Sequence, residues 1–287
     1  MKIKKILDLL FTNSFKKQFT RTAAVVFSVT STVFTFIPLQ DILSELNINT
    51  LFSKTFLIII LFFITCLFSK VILCVKKTAL ICSNEGHKVI AEYGDITKLF
   101  ANTATSTRHT LVIPVNTNLK YLNDEKVIKP NSIHGMWLNK LYAGSDTKKY
   151  REKISKAIEE RFSQKDYCSI GDVIYLEDCL GVDCLLVASS EIEMIGNSYA
   201  ASCSELQYLY AIQSVINAIS TMCVSGTDIY IPLISAGYAN SRDKLSIDYL
   251  KMMASIFTFN SHSLRNTIHI LISEKSREYI DIFSIAK

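Results

Sequence analysis

Two long apolar stretches dominate the first quarter of the chain. No charged residue interrupts residues 22–40 (TAAVVFSVTSTVFTFIPLQ), which are rich in Ser and Thr, and only Lys70 interrupts residues 55–75 (TFLIIILFFITCLFSKVILCV). At a rise of about 1.5 Å per residue, either stretch can cross a hydrocarbon core of roughly 30 Å. The pattern therefore predicts a hairpin of two transmembrane helices, with a pair of buried core helices as the alternative.

The first 19 residues, MKIKKILDLLFTNSFKKQF, place apolar side chains at helical spacing among lysines. These side chains belong to Ile3, Ile6, Leu7, Leu10 and Phe11. The pattern is typical of a basic amphipathic helix on an anionic membrane surface, and a solvated segment leading into the first span is the alternative. We therefore assign residues 1–21 to a basic lead-in and residues 22–77 to two transmembrane helices.

After residue 77, short apolar runs alternate with amphipathic helical patterns. The predicted strands cover residues 87–93, 110–116, 172–177, 184–189, 229–235 and 267–273. The predicted helices cover residues 148–162, 205–222 and 246–259. Alternating strands and helices indicate a three-layer α/β/α sandwich around a mostly parallel sheet. Residues 78–287 are therefore assigned to one α/β domain.

Charge is distributed unevenly between these regions. Of the 31 basic and 26 acidic residues, 10 and 3 lie within residues 1–77, which leaves 21 and 23 for residues 78–287. The net charges are therefore +7 and −2. A nucleic-acid-binding protein carries its basic excess on the folded domain, so this distribution argues against nucleic acid as a partner. Basic residues at the outer ends of both spans predict a multi-pass protein of the inner or plasma membrane, with both termini in the cytoplasm.

The eight cysteines show no spacing typical of a metal site or a disulfide framework. Cys179 and Cys184 are isolated from other candidate ligands, so no metal is predicted. Reduced thiols suit a domain on the cytoplasmic side of the membrane.

Three predicted strands end in residues suited to ligand binding. The motifs are GDIT (94–97), VNTN (115–118) and SAGY (235–238). In open α/β sheets, ligands bind at the carboxyl ends of the strands. Gly237 has no Cβ, so another group can approach the backbone closely there. An Asx turn is the alternative for Gly94-Asp95, and loop caps are the alternative for the two asparagines.

These motifs, in this order, resemble those of the macro domain over roughly residues 87–287. The SIHG segment (132–135), together with the two predicted spans, resembles the membrane-anchored macro-domain effectors of type II Thoeris anti-phage systems. Two features depart from the macro-domain pattern. The asparagine motif is one residue short, and residues 118–142 replace the glycine-rich loop that serves hydrolytic macro domains.

The resemblance implies a site for ADP-ribose derivatives. Asp95 would accept a hydrogen bond from the adenine amino group, with Ile96 beside it, and Asn116 or Asn118 would face the distal ribose. The loop after the strand at residue 229 would supply the remaining contacts. In that loop the backbone of Ser235, Ala236 and Gly237 would bind the diphosphate, and Tyr238 would lie against a ribose.

The SIHG segment would complete this implied site. His134 or Trp137 would line the pocket for an additional base, and a helix-capping role is the alternative for His134.

The resemblance further implies a binding protein with no catalytic residue, cofactor or metal. A TIR-domain protein would act through an ADP-ribose-derived messenger, such as histidine joined to ADP-ribose. The macro domain would bind this messenger, and a homo-oligomer would then disrupt the host cell membrane. A membrane-tethered ADP-ribosyl hydrolase and a membrane scaffold that binds a protein are the alternatives.

Overall fold

The computed structural model describes residues 13–36, 50–84, 86–101, 108–124, 128–163, 165–195, 198–234 and 246–286. The chain divides into two compact units, residues 1–77 and residues 78–287. Residues 1–12 of the predicted lead-in lie outside the described residues, whereas residues 13–21 form the start of a helix. The SAGY loop also lies outside the described residues.

The first unit contains two helices, α1 (Asn13–Phe36) and α2 (Thr50–Val75). They are in contact where the rings of Phe19 and Phe62 meet edge to face, with their centroids 5.5 Å apart. Within the described residues, only α2 is long and apolar enough to cross a membrane, through residues 58–75 with a mean hydropathy of 2.8. The first predicted span forms a helix as far as Phe36, and its crossing of a membrane stays a prediction.

Within the described residues, the second unit is built on an eight-stranded mixed sheet. The strands are β1 (Thr78–Asn84), β2 (His87–Tyr93), β3 (His109–Asn116), β4 (Val173–Cys179), β5 (Val182–Ile195), β6 (Ser198–Ser202), β7 (Asp228–Pro232) and β8 (Thr267–Ile272). Their spatial order is β1-β2-β8-β7-β3-β5-β4, and β6 pairs with the far end of β5. Neighbours from β2 to β5 are parallel, whereas β1, β4 and β6 pair antiparallel with their neighbours.

Helices cover both faces of this sheet. They are α3 (Ile133–Tyr142), α4 (Thr147–Phe162), α5 (Glu205–Met222) and α6 (Ser246–Phe259). Successive residues of a strand point to opposite faces. In β3, Val112 therefore joins the core under α5 and α6, whereas Leu111 and Ile113 join the core under α3 and α4. The predicted α/β sandwich is confirmed.

The elements match the sequence-based predictions most closely where apolar periodicity is strong. The bounds of β2, α5 and α6 are as predicted, while β5 extends to Ile195 and β7 ends at Pro232. Three elements, β1, β6 and α3, were not predicted. The sheet is parallel only in its centre, because β1 and β4 join the next strand of the chain through short hairpins. In the β4–β5 turn, Leu180 and Gly181 have φ values of 59° and 81°, as two-residue turns between twisted strands require.

Candidate functional site

The four parallel strands β2, β8, β7 and β3 bring their carboxyl ends to one edge of the sheet. At about 4.8 Å between neighbours, the three steps from β2 to β3 place their ends roughly 14 Å apart. The GDIT and VNTN motifs therefore lie at the ends of β2 and β3, and β7, the strand that precedes the SAGY motif in the sequence, ends between them. The last strand of that series, β3, adjoins β5, where Thr117 N donates to Ser190 O at 3.0 Å.

Asp95 begins a 3₁₀ turn, Ile96–Leu99, directly after β2. Its Oδ1 accepts hydrogen bonds from Thr97 N at 3.0 Å and from Thr97 Oγ1 at 2.7 Å. Both bonds favour the charged form, so they hold the pKa of Asp95 below its ordinary value. Asp95 is exposed, and its Oδ2 accepts no hydrogen bond from another described residue. One carboxylate oxygen therefore fixes the turn and the other faces outward.

The neighbours of Asp95 hold the turn against the sheet. Gly94 N donates to Ile272 O, the end of β8, at 2.9 Å. A Cβ at Gly94 would lie 3.3 Å from Leu271 Cδ2, so a larger residue would require the Leu271 side chain to shift by a few tenths of an ångström. Ile96 is buried in the core under α3 and α4. The adenine contact predicted for Ile96 stays a prediction.

The two asparagines form consecutive turns at the end of β3. Asn116 is buried, and its Oδ1 accepts from Asn118 N at 2.8 Å. Asn118 begins the 3₁₀ turn Leu119–Tyr121, and its Oδ1 accepts from Lys120 N at 3.1 Å. Both carbonyl oxygens thus serve as local caps, the alternative that the sequence left open. The two side-chain NH₂ groups make no hydrogen bond to another described residue, so each can donate to a ligand.

A loop that the sequence analysis did not select adjoins the asparagine turn. Cys168 N donates to Thr117 O at 2.9 Å, and Leu119 N donates to Asp166 O at 2.9 Å. Burial, together with the nearby carboxylate of Asp172, raises the pKa of the Cys168 thiol to about 11. The thiol is therefore protonated at neutral pH. Its sequence neighbourhood, DYCSIGD, carries no motif that would have indicated this position.

The SIHG segment forms the start of α3. Ser132 Oγ accepts from Gly135 N at 3.0 Å and donates to Lys129 O at 2.7 Å. A Cβ at Gly135 would lie only 2.2 Å from Lys129 O, so the helix approaches this backbone too closely for any larger residue. The Ser and Gly of the segment therefore have a direct structural role.

His134 lies inside the domain. Its Nε2 is 3.0 Å from Leu122 O, and burial lowers its pKa to about 4. Its ring centroid is 6.3 Å from that of Trp137, which is fully buried. The Trp137 Nε1 hydrogen-bonds to no nitrogen or oxygen atom of the described residues. His134 stays a predicted ligand contact, one that would require the turn around Leu122 to move.

The remaining predicted contacts lie outside the described residues. Ser235, Ala236, Gly237 and Tyr238 follow β7, whose last residue is Pro232. Their assignment stays a prediction. Within the described residues, no group of three His, Cys, Asp or Glu side chains is placed to hold a metal ion.

Comparison with known families identifies this domain. A family model described as "Thoeris protein ThsA, Macro domain" matches residues 89–273, more than half of the chain. The chain belongs to the Thoeris ThsA macro-domain family. The match begins inside β2 and ends directly after β8, so it spans all the strands of the sheet except β1, together with the four helices that cover them.

The macro domain also matches solved macrodomain structures at low identity. The Oceanobacillus iheyensis macrodomain with ADP is 15% identical over 73% of this chain and 94% of that chain, with a TM-score of 0.47. The Trypanosoma brucei macrodomain in complex with ADP-ribose is 10% identical over 67% of each chain, with a TM-score of 0.42. The comparison with curated proteins found no match. The family assignment therefore rests on the family model.

Proposed function

We propose that this protein is a ligand-gated membrane effector whose macro domain binds an ADP-ribose-derived messenger. The observation that supports the proposal is the order of three strand ends, those of β2, β7 and β3, along the carboxyl edge of the sheet. The GDIT turn ends β2, the SAGY loop follows β7, and the asparagines end β3, with the outer two roughly 14 Å apart. A ligand with a base at one end, a diphosphate in the middle and a ribose at the other matches this order.

Each end of the edge offers hydrogen-bonding groups of the required kind. Asp95 Oδ2 is an exposed acceptor for the adenine amino group. The side-chain NH₂ groups of Asn116 and Asn118 are donors for the hydroxyls of the distal ribose. Between them, Gly237 would let backbone N–H groups contact the diphosphate. The messenger that the family resemblance implies is ADP-ribose joined to histidine, made by a TIR-domain protein that acts only through this messenger.

Binding without catalysis is the function that the described residues support best. A general base needs a pKa near the working pH and a position beside the attacked bond. At the distal end the asparagines, Thr117 and the Cys168 thiol are neutral at pH 7, and the nearby carboxylate of Asp172 accepts a hydrogen bond from Ser169 N at 2.7 Å. A membrane-tethered ADP-ribosyl hydrolase is the second candidate. Incubation with an ADP-ribosylated protein separates the two, because release of ADP-ribose supports the hydrolase and retention without release supports the binding protein.

The first unit supplies the membrane part of the proposal. We infer that α1 and α2 form a two-span hairpin with both termini in the cytoplasm, because basic residues flank the outer ends of the apolar stretches. A cysteine placed at Asn47 should then react with an impermeant thiol reagent on intact cells, whereas one placed at Ser83 should not. Labelling at residue 83 without labelling at residue 47 would refute this topology.

The messenger would act by shifting a population. A ligand favours a conformation only by its difference in affinity between the two states. We infer that the bound state is a homo-oligomer that disrupts the membrane, since two helices are too few to enclose a channel.

In a depolarisation assay on cells, the full chain should depolarise the membrane only when the messenger is present. Removing residues 1–77 should preserve messenger binding and abolish depolarisation, because residues 78–287 form a compact unit with its own core. Equal depolarisation with and without the messenger would contradict the proposal.

A further inference from the structure

One side of α1 carries only small or polar residues between Lys17 and Ser31, although Lys16, Gln18 and Thr22 place polar groups elsewhere on the helix. At 3.6 residues per turn, six residues of this side fall within an arc of roughly 100° that extends for roughly 21 Å along the helix. These residues, named here the hydroxyl stripe, are Lys17, Thr20, Arg21, Ala24, Ser28 and Ser31, and all six are exposed. The stripe thus combines small hydroxyl residues with two cations at its N-terminal end.

The other side of α1 packs on α2. Phe19 contacts Phe62, and Thr22 and Val26, on the same side as Phe19, are half-buried. The stripe is centred roughly 160° away from these residues. It therefore points away from α2.

The exposed surface of α2 is different in kind. Large apolar side chains are exposed along much of it, among them Ile59, Phe63, Leu67 and Val71, whereas Thr65 and Ser69 are buried. The hairpin therefore presents an apolar surface on α2 and a polar, basic surface on α1. In a membrane, the first surface suits lipid, whereas Ser28 and Ser31 bring hydroxyl groups into the predicted span and Lys17 and Arg21 lie at its predicted cytoplasmic end.

We propose that the hydroxyl stripes of several copies of this chain together line a water-filled conduit that prefers anions. The inference rests on the proposed membrane function and identifies the hydroxyl stripe as the surface through which ions would pass. Copies arranged with α2 outward and the stripes inward would satisfy both surfaces at once. The same arrangement explains why α1 is less apolar than α2. A helix that faces water on one side needs apolar residues only on the side that contacts lipid or protein.

The charge of α1 sets the predicted ion preference. The helix has no acidic residue between Asn13 and Phe36. Each copy therefore contributes Lys17 and Arg21 to one end of the conduit, and rings of basic side chains favour anions. Because the screening length falls from roughly 30 Å at 0.01 M salt to roughly 3 Å at 1 M, the preference should weaken at high salt.

Reversal potentials of the full chain in planar bilayers test this assignment. Under a potassium chloride gradient, with histidine–ADP-ribose as the probe, the wild-type potential should lie on the chloride side. Arg21→Glu should move it toward the potassium side. Lys16→Glu is the matched control, because it makes the same charge change near the same end of α1 but about 90° from the centre of the stripe. It should leave the potential nearly unchanged.

A second pair of variants tests the lining itself. Ser28→Leu should lower the conductance several-fold by narrowing and drying the conduit. Val29→Leu, the neighbouring position outside the stripe, should not. Probe binding by each variant is measured in parallel and should be unchanged. A wild-type current that prefers potassium, or one that neither Arg21→Glu nor Ser28→Leu alters, would overturn the conduit while leaving the proposed function intact. The absence of any probe-dependent current in the wild-type protein would contradict the proposed function and the conduit together.

Discussion

Replacing Asp95 by asparagine separates the two roles assigned to its carboxylate. Oδ1 accepts two hydrogen bonds from Thr97 and holds the turn after β2. Oδ2 faces outward and is assigned to the adenine amino group. Asparagine keeps an oxygen for the turn but replaces the second oxygen by an NH₂ donor, which would face another donor on adenine. The variant should therefore retain the fold and lose the base contact.

The expected loss follows from the strength of a hydrogen bond to a charged group. Such a bond contributes about 1.5–3 kcal/mol, which corresponds to a rise in Kd of about 10-fold to 150-fold. Asp95→Ala should weaken binding by a similar factor. It should also reduce the free energy of unfolding by about 1 kcal/mol, because it removes the cap. The asparagine variant should unfold like the wild-type domain.

Calorimetry of residues 78–287 with two ligands provides the assay. The first ligand is ADP-ribose, and the second is its hypoxanthine analogue, which carries a carbonyl oxygen where adenine has the amino group. The wild-type domain should prefer the adenine ligand, and Asp95→Asn should prefer the hypoxanthine ligand, because its NH₂ can donate to the carbonyl. Equal affinity of the wild-type domain and Asp95→Asn for ADP-ribose would refute the assignment of Asp95.

Three further predictions follow from the described residues. Because the pKa of Asp95 lies below its ordinary value of 3.8, its contribution to ligand affinity should be constant from about pH 5 to 8, which titration calorimetry at several pH values can check. Gly135→Ala should destabilise the domain by about 1–3 kcal/mol in denaturant unfolding, whereas Gly144→Ala, with open space around its Cβ, should not. The pKa of His134 falls from 6.5 to about 4 on folding, so its neutral form contributes stability above pH 6.5 that is lost as the pH falls toward 4. His134→Gln should therefore flatten the pH dependence of the unfolding free energy by up to about 3 kcal/mol over that range, and an unchanged slope would contradict this reading.

Much of the macro domain could be predicted from apolar periodicity. The residues of β2, α5 and α6 alternate or repeat clearly enough to give their bounds. Strand β1 was missed because its sequence, TALICSN, continues the apolar composition of α2. Strand β6, SYAAS, was missed because it lacks β-branched residues. Both pair antiparallel with a neighbour in the chain, so their absence from the prediction also made the sheet look more parallel than it is.

The candidate site was predictable only in part. The positions of the GDIT and VNTN turns at the ends of β2 and β3 could be predicted, because strand ends follow from strand bounds. The hydrogen bonds that Asn116 and Asn118 accept could not be predicted from the sequence. Two asparagines two residues apart can each cap a turn or bind a ligand, and only the structure shows that each accepts from a backbone N–H two residues later. Helix α3 was not predicted because it is short and contains Gly135, a residue that disfavours helices. The reason for this glycine, its close approach to Lys129 O, can be seen only in the folded structure.

Titration calorimetry of residues 78–287 with histidine–ADP-ribose tests the central claim most directly. The account predicts saturable binding to one site per domain, recovery of the unaltered ligand afterwards, and loss of the signal in Gly237→Val, whose branched side chain would block the diphosphate. The absence of binding to either histidine–ADP-ribose or ADP-ribose, or full binding by Gly237→Val, would contradict the account.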